Sequence, residues 1–111
     1  FINSKTLKKI QNVKRNGNRI LSIGTTSLRA IESLAIDTNQ VNKWSKTNLF
    51  ITEGFDFKFT DCLLTNFHLP KSTLLILISS FLGYELTMKC YKIALKEKFR
   101  FYSYGDAMLI L

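Results

Sequence analysis

Proline and glycine are scarce, one and five in 111 residues, which excludes collagen-like and low-complexity readings. The two cysteines, Cys62 and Cys90, are too few for a disulfide framework or a four-thiolate zinc site. A reduced, cytoplasmic chain is therefore the expectation. Long apolar runs are missing too. The most apolar stretch, Leu74–Leu82 (LLILISSFL), covers about half of the roughly 20 residues that span a bilayer, so no membrane partner is expected. The sequence starts at Phe1 without a charged-then-apolar leader, and it is expected to be part of a longer polypeptide. What is present is ordinary globular material, 46% hydrophobic and 22% charged, of a length that suits one domain.

Acidic residues are few: 8 against 16 basic, a formal charge of +8. The imbalance is local. Residues 1–50 carry 9 basic and 2 acidic side chains, whereas residues 51–111 carry 7 and 6. Lys5, Lys8, Lys9, Lys14, Arg15 and Arg19 crowd the first 19 residues with no acid among them. Such a cluster either favours a polyanion partner or is a solvated helix face.

Asn3 or Ser4 is positioned to cap a helix whose apolar arc is Leu7, Ile10 and Val13, stopped by Gly17. Arg19–Ile23 reads as a short strand. Gly24-Thr25-Thr26-Ser27 and a second helix follow it. A hydroxyl-rich turn at a helix start either holds a phosphate or carboxylate or simply caps the helix through Thr26 or Ser27. Residues 37–48 read as a loop, and Leu49–Thr52 and Phe55–Phe59 have strand composition around the turn Glu53-Gly54. Asp61–Thr65 has the apolar character of a buried parallel strand. It delivers Asn66 and His68 to a strand's carboxyl end, where ligands of open α/β sheets bind. Lys71-Ser72-Thr73 opens an apolar helix ended by Gly83. A further helix spans residues 84–98, with Leu86, Cys90, Ile93 and Ala94 towards the core and a narrow lysine stripe outside. Phe99–Tyr104 reads as an aromatic strand, and Ala107–Leu111 closes the chain. Alternating strands and helices predict an α/β fold, a layered, mostly parallel sheet flanked by helices.

His68 is the sole histidine, so any imidazole proton transfer must use it. Cys62, His68, Cys90 and the scattered acids have no ligand spacing, and no metal is expected. No Ser-His-Asp order or glycine-rich phosphate loop is present. Within Phe99–Tyr104 the rings suit base stacking with Arg100 on a phosphate, or else core packing. Asp106, after Gly105, is either a turn carboxylate or a ligand contact.

Four segments, Arg19–Glu32 (RILSIGTTSLRAIE), Leu64–Leu75 (LTNFHLPKSTLL), Phe81–Glu85 (FLGYE) and Arg100–Ile110 (RFYSYGDAMLI), occur in an order that resembles the S-adenosylmethionine:tRNA ribosyltransferase-isomerases of queuosine biosynthesis. Glu53-Gly54 stands where that family usually has Pro-Gly, and Gly17-Asn18-Arg19 where it favours Gly-Gly-Arg; both departures lie in turns. The family enzyme is roughly three times as long. The resemblance thus implies the C-terminal part of its larger α/β domain, with the separate β-barrel domain and the N-terminal portion lying elsewhere. It implies transfer and isomerisation of the ribosyl unit of S-adenosylmethionine onto 7-aminomethyl-7-deazaguanine in tRNA, giving epoxyqueuosine-tRNA, adenine and methionine. The alternative is an inactive fragment or a basic RNA-binding remnant, and this chain alone is expected to be inactive. Residue chemistry nominates His68, Asp106 and Glu85 for catalysis. It nominates Gly24, Thr25, Thr26, Ser27, Arg29, Asn66, Ser72, Ser103 and Tyr104 for binding S-adenosylmethionine or substrate, and Lys5, Lys8, Lys9, Arg15 and Arg100 for tRNA.

Overall fold

Residues 1–68 and 72–111 are described by the computed structural model; Leu69, Pro70 and Lys71, part of the second motif, lie outside them. Asn3 caps the first helix, α1 (Ser4–Arg15), by accepting the N–H of Thr6 at 2.8 Å, and Gly17 takes the left-handed turn beyond it at φ 72°. Leu7, Ile10 and Val13 are only half-buried. The start of the helix is tied by the Ser4 N–H, which donates to Asn42 Oδ1 at 2.9 Å, and its end by charge. Lys14 Nζ donates to Asp61 at 2.6 Å, and the other Asp61 oxygen accepts the Ile20 N–H at 2.8 Å. Burial works to raise the Asp61 carboxyl, but the Lys14 bond, the Ile20 N–H and the charges of Lys14 and Arg19 together hold it below its ordinary value. Ile20 and Asp61 immediately precede two strands, so α1 is anchored at the strands' N-terminal ends.

Those strands are β1 (Leu21–Ile23) and β2 (Cys62–Asn66), joined through α2 (Thr25–Ile36) and a long connection. They pair in parallel, Leu21 opposite Cys62 and Ile23 opposite Leu64, as a helix crossover requires. After β2 come α3 (Thr73–Leu82) and α4 (Tyr84–Lys96), bent by 118° about Gly83 at φ 88°. The last strand, β3 (Ala107–Ile110), pairs antiparallel to β2, Leu64 opposite Leu109. The α/β layering is as expected, with one parallel and one antiparallel pairing in the order β1-β2-β3. One face of the sheet packs Leu63 and Ile110 against Leu28, Leu77, Ile78, Tyr91 and Ala94. On the other face Ile23 and Leu109, in register on either side of Leu64, are 66% and 52% exposed. Among the described residues no single helix is long and apolar enough to cross a membrane.

Three expectations fail. Residues 49–52 and 55–59 form no strand. The Leu49 carbonyl accepts from Arg29 Nε at 3.0 Å, and the N–H groups of Lys58, Phe59 and Thr60 all donate to the Glu32 carboxylate at 2.9, 3.0 and 2.7 Å. With those donors satisfied, no ladder partner is needed. Phe99–Tyr104 is likewise not a strand but part of a turn folded on Gly105. In α4 the buried stripe is Thr87, Tyr91 and Ala94, while Leu86 and Ile93 stay about half exposed. Tyr91 goes inside because its hydroxyl has a partner there, the His68 N–H at 3.1 Å, while Thr87 satisfies its hydroxyl within its own helix on the Gly83 carbonyl at 2.7 Å.

Candidate active site

The parallel pairing of β1 with β2 sets two turns side by side at the strands' carboxyl ends. The Gly24 N–H donates to the Leu64 carbonyl at 2.8 Å, which fixes the Gly24-Thr25-Thr26-Ser27 turn beside Thr65 and Asn66. Gly24, at φ 84°, is the N-cap residue of α2, and no side chain caps that helix. Thr26 and Ser27 are therefore not its caps. Their hydroxyls are exposed in the first turn, whereas Thr25 is buried. Open N–H groups with adjacent hydroxyls suit an anionic or hydroxyl-rich ligand.

On the neighbouring turn, His68 is half-buried, with Nε2 at 3.0 Å from the Thr65 hydroxyl and its main-chain N–H on the Tyr91 hydroxyl. Burial lowers the His68 pKa from its ordinary 6.5, so the imidazole is neutral near pH 7 and available as a proton acceptor. Burial also raises the Tyr91 phenol, a rise partly offset by the His68 N–H. Phe67, 4% exposed, packs edge-on against Tyr91 and Phe99 and tilted against Phe101, with centroids 5.4–5.6 Å apart. This cluster seats residues 99–106 against the end of β2.

That loop closes through backbone and carboxylate. Phe67 N–H donates to the Asp106 carbonyl and Tyr102 N–H to the Phe67 carbonyl, at 3.2 and 3.0 Å, while Asn66 Nδ2 donates to the Gly105 carbonyl at 3.3 Å. The Asp106 carboxylate accepts from the Arg100 N–H at 2.7 Å and from its guanidinium at 3.4 Å. The Arg100 N–H, against an opposing effect of burial and with the added pull of the guanidinium, holds Asp106 below the ordinary carboxylate value. A Cβ on Gly105 would stand 2.3 Å from the Arg100 carbonyl oxygen, so only glycine fits. Of the aromatic-basic stretch, Phe101 packs inward while Tyr104 is 97% exposed, with Ser103 and Arg100 also exposed.

Gly24–Ser27, Asn66, His68 and the loop bearing Arg100, Ser103, Tyr104 and Asp106 are thus gathered at one end of the sheet. The other candidates are elsewhere. Arg29 turns to Leu49 and lines a separate hollow of about 110 Å³ with Ile51 and Thr73. Ser72 caps α3 and lines a groove of about 260 Å³ with Glu53 and Tyr84. Glu85 is exposed in the first turn of α4. Lys5, Lys8, Lys9 and Arg15 are exposed on α1, which is anchored at the opposite ends of the strands. Among the described residues no three His, Cys, Asp or Glu side chains are grouped to hold a metal. Sequence reasoning missed Thr65, Tyr91 and Glu32. Thr65 lies three residues before His68, a spacing that hints at contact; Tyr91, 23 residues away, had no such signal.

The family model for the queuosine biosynthesis protein matches residues 1–110. The chain belongs to the queuosine biosynthesis protein family. Its relatives in that family include the S-adenosylmethionine:tRNA ribosyltransferase-isomerases of Polynucleobacter asymbioticus, 53% identical over 98% of this chain and 30% of the relative, and of Thermotoga petrophila, 46% identical over 99% and 33%. The crystal structure of S-adenosylmethionine tRNA ribosyltransferase from Thermotoga maritima superposes with a TM-score of 0.88 at 43% identity, covering 99% of this chain and 39% of that one. This chain therefore spans about a third of the length of the curated family members it matches.

Proposed function

We propose that this chain supplies one wall of the active site of an S-adenosylmethionine:tRNA ribosyltransferase-isomerase, as the C-terminal part of that enzyme's α/β domain. The reaction is ribosyl transfer with isomerisation onto 7-aminomethyl-7-deazaguanine in tRNA, and a cytoplasmic location accompanies it. The observation that carries the reading is the placement of the sole histidine and Asn66 beside the Gly24–Ser27 turn, at the carboxyl ends of paired parallel strands, in a member of this family. S-adenosylmethionine, when bound, supplies the ribosyl unit and a sulfonium that acidifies neighbouring C–H bonds. The residues present fit it. Thr26 and Ser27, with the uncapped N–H groups of α2, hold an anionic or hydroxyl-bearing end; Asn66 offers its side-chain oxygen; neutral His68 accepts a proton. Asp106 acts through Arg100, shaping the loop that closes the site. The exposed lysines of α1 take tRNA phosphates, which position the RNA without reading its sequence.

Adenine release from S-adenosylmethionine with precursor tRNA tests the reading. In the complete enzyme containing this segment, His68→Ala is expected to lower kcat by ~10²–10⁴-fold with an unchanged melting temperature. Turnover within a few-fold of the parent overturns it. The 111-residue chain alone is expected to release no adenine. A basic RNA-binding remnant is the second reading, favoured by the separation of the α1 lysines from His68 along the strands. Salt-dependent tRNA binding in a complete enzyme that never turns over would establish it.

A further inference from the structure

His68 is held from two elements, and the contact to β2 involves its ring. Thr65 is 4% exposed, so bulk water does not compete for its hydroxyl, and its main chain is fixed in the ladder opposite Met108. Its Oγ1 lies 3.0 Å from Nε2 of the imidazole, while Tyr91, 3% exposed on α4, fixes the His68 main chain through the bond to its hydroxyl. With Nε2 engaged, Nδ1 is the ring nitrogen without a partner among the described residues. Which nitrogen carries the proton is set by the bond the other one makes.

We propose that Thr65 is a positioning residue that accepts the Nε2–H of His68 and thereby leaves the lone pair of Nδ1 as the working base. The proposal rests on the assignment of His68 as proton acceptor. A proton taken from substrate forms an N–H bond at Nδ1, and its former electron pair stays on the substrate atom. The resulting imidazolium keeps its Nε2–H on Thr65, so no second proton has to move. A threonine hydroxyl suits this better than a carboxylate, because it raises the basicity of the ring less, and the ring must later release its proton.

The test pairs Thr65→Val, which keeps shape but removes the acceptor, with Thr65→Ser, which restores it. In the complete enzyme with ¹⁵N-labelled histidine, the His68 signals are those that disappear in His68→Gln. The parent should show the Nε2–H tautomer, Thr65→Val a mixture of both tautomers, and Thr65→Ser the parent pattern. Thr65→Val should lower kcat about tenfold, the worth of one hydrogen bond, with KM within about twofold, and Thr65→Ser should recover it. An Nδ1–H tautomer in the parent overturns the proposal, as does a Val variant with unchanged tautomer and rate. Should Thr65→Val fail to fold, the parent's tautomer decides by itself. Retained turnover in His68→Ala instead defeats the base assignment and leaves the Thr65–His68 bond to be judged by the spectrum.

Discussion

Removing the Glu32 carboxylate should destabilise this segment more than any other single polar change in α2. Glu32 is fully buried, and its two oxygens take three main-chain N–H groups from one loop at 2.7–3.0 Å. Bonds to a charged acceptor contribute about 1.5–3 kcal/mol each, against about 1 kcal/mol for neutral pairs. Glu32→Gln keeps one acceptor oxygen, for Phe59 and Thr60, but sets an N–H against that of Lys58. Lys58 is exposed and can turn to water, so a loss of about 2 kcal/mol is expected. Glu32→Ala removes all three bonds and strands the donor of Thr60, which is 4% exposed; about 5 kcal/mol is expected, of the order of a whole domain's stability. Thermal melts of the complete enzyme give the ranking. Amide hydrogen exchange locates it, with protection lost first at Lys58, Phe59 and Thr60 and then along β2, which begins two residues later. If both variants stay within about 0.5 kcal/mol of the parent with the three amides still protected, Glu32 is not what holds the loop.

Gly105→Ala should disorder the loop at residues 100–106, because its Cβ meets the Arg100 and Phe101 backbone at 2.3–2.6 Å; turnover should drop and limited proteolysis should cut there, and an intact, active variant would refute the clash. Reversing Lys5, Lys8 and Lys9 to Glu should weaken tRNA binding and flatten its log–log salt dependence by roughly 0.7–0.9 for each phosphate that α1 no longer neutralises, and an unchanged slope would make α1 a solvated face. Since burial lowers the His68 pKa below 6.5 and the neutral form is the acceptor, kcat should hold steady above pH 6.5 with respect to this group and fall only as pH drops through the lowered value, Tyr91 staying neutral throughout; an acid limb centred at or above 6.5 would contradict it. The same sign governs stability: the unfolded state takes up the proton first, so the His68 contribution is intact above 6.5 and is lost as pH falls towards the folded-state value.

Local signals by themselves determine the helices. Asn3 and Ser72 cap them, Gly17 and Gly83 end them, and the apolar spacing between runs far enough to outvote alternatives. That Gly24–Ser27 and Asn66–His68 each follow the carboxyl end of a strand was legible too, but that the two strands are neighbours was not, since two more strands were expected between them. The family motifs carried the rest of that assignment. Tertiary structure alone decided where the backbone's hydrogen bonds go when a side chain from a distant position supplies them. Glu32 and Arg29 turned two strand-like stretches into a tethered loop, although Phe55 and Phe57 kept their alternate spacing and still pack against one another, Phe57 also against Phe81. The hydroxyl partner of Tyr91 likewise favoured the inner face of α4 over Leu86 and Ile93, and Tyr91 carried His68 with it. A hydrogen bond closed across 20 or more residues leaves no periodicity in the sequence, and only the folded chain brings the two ends together.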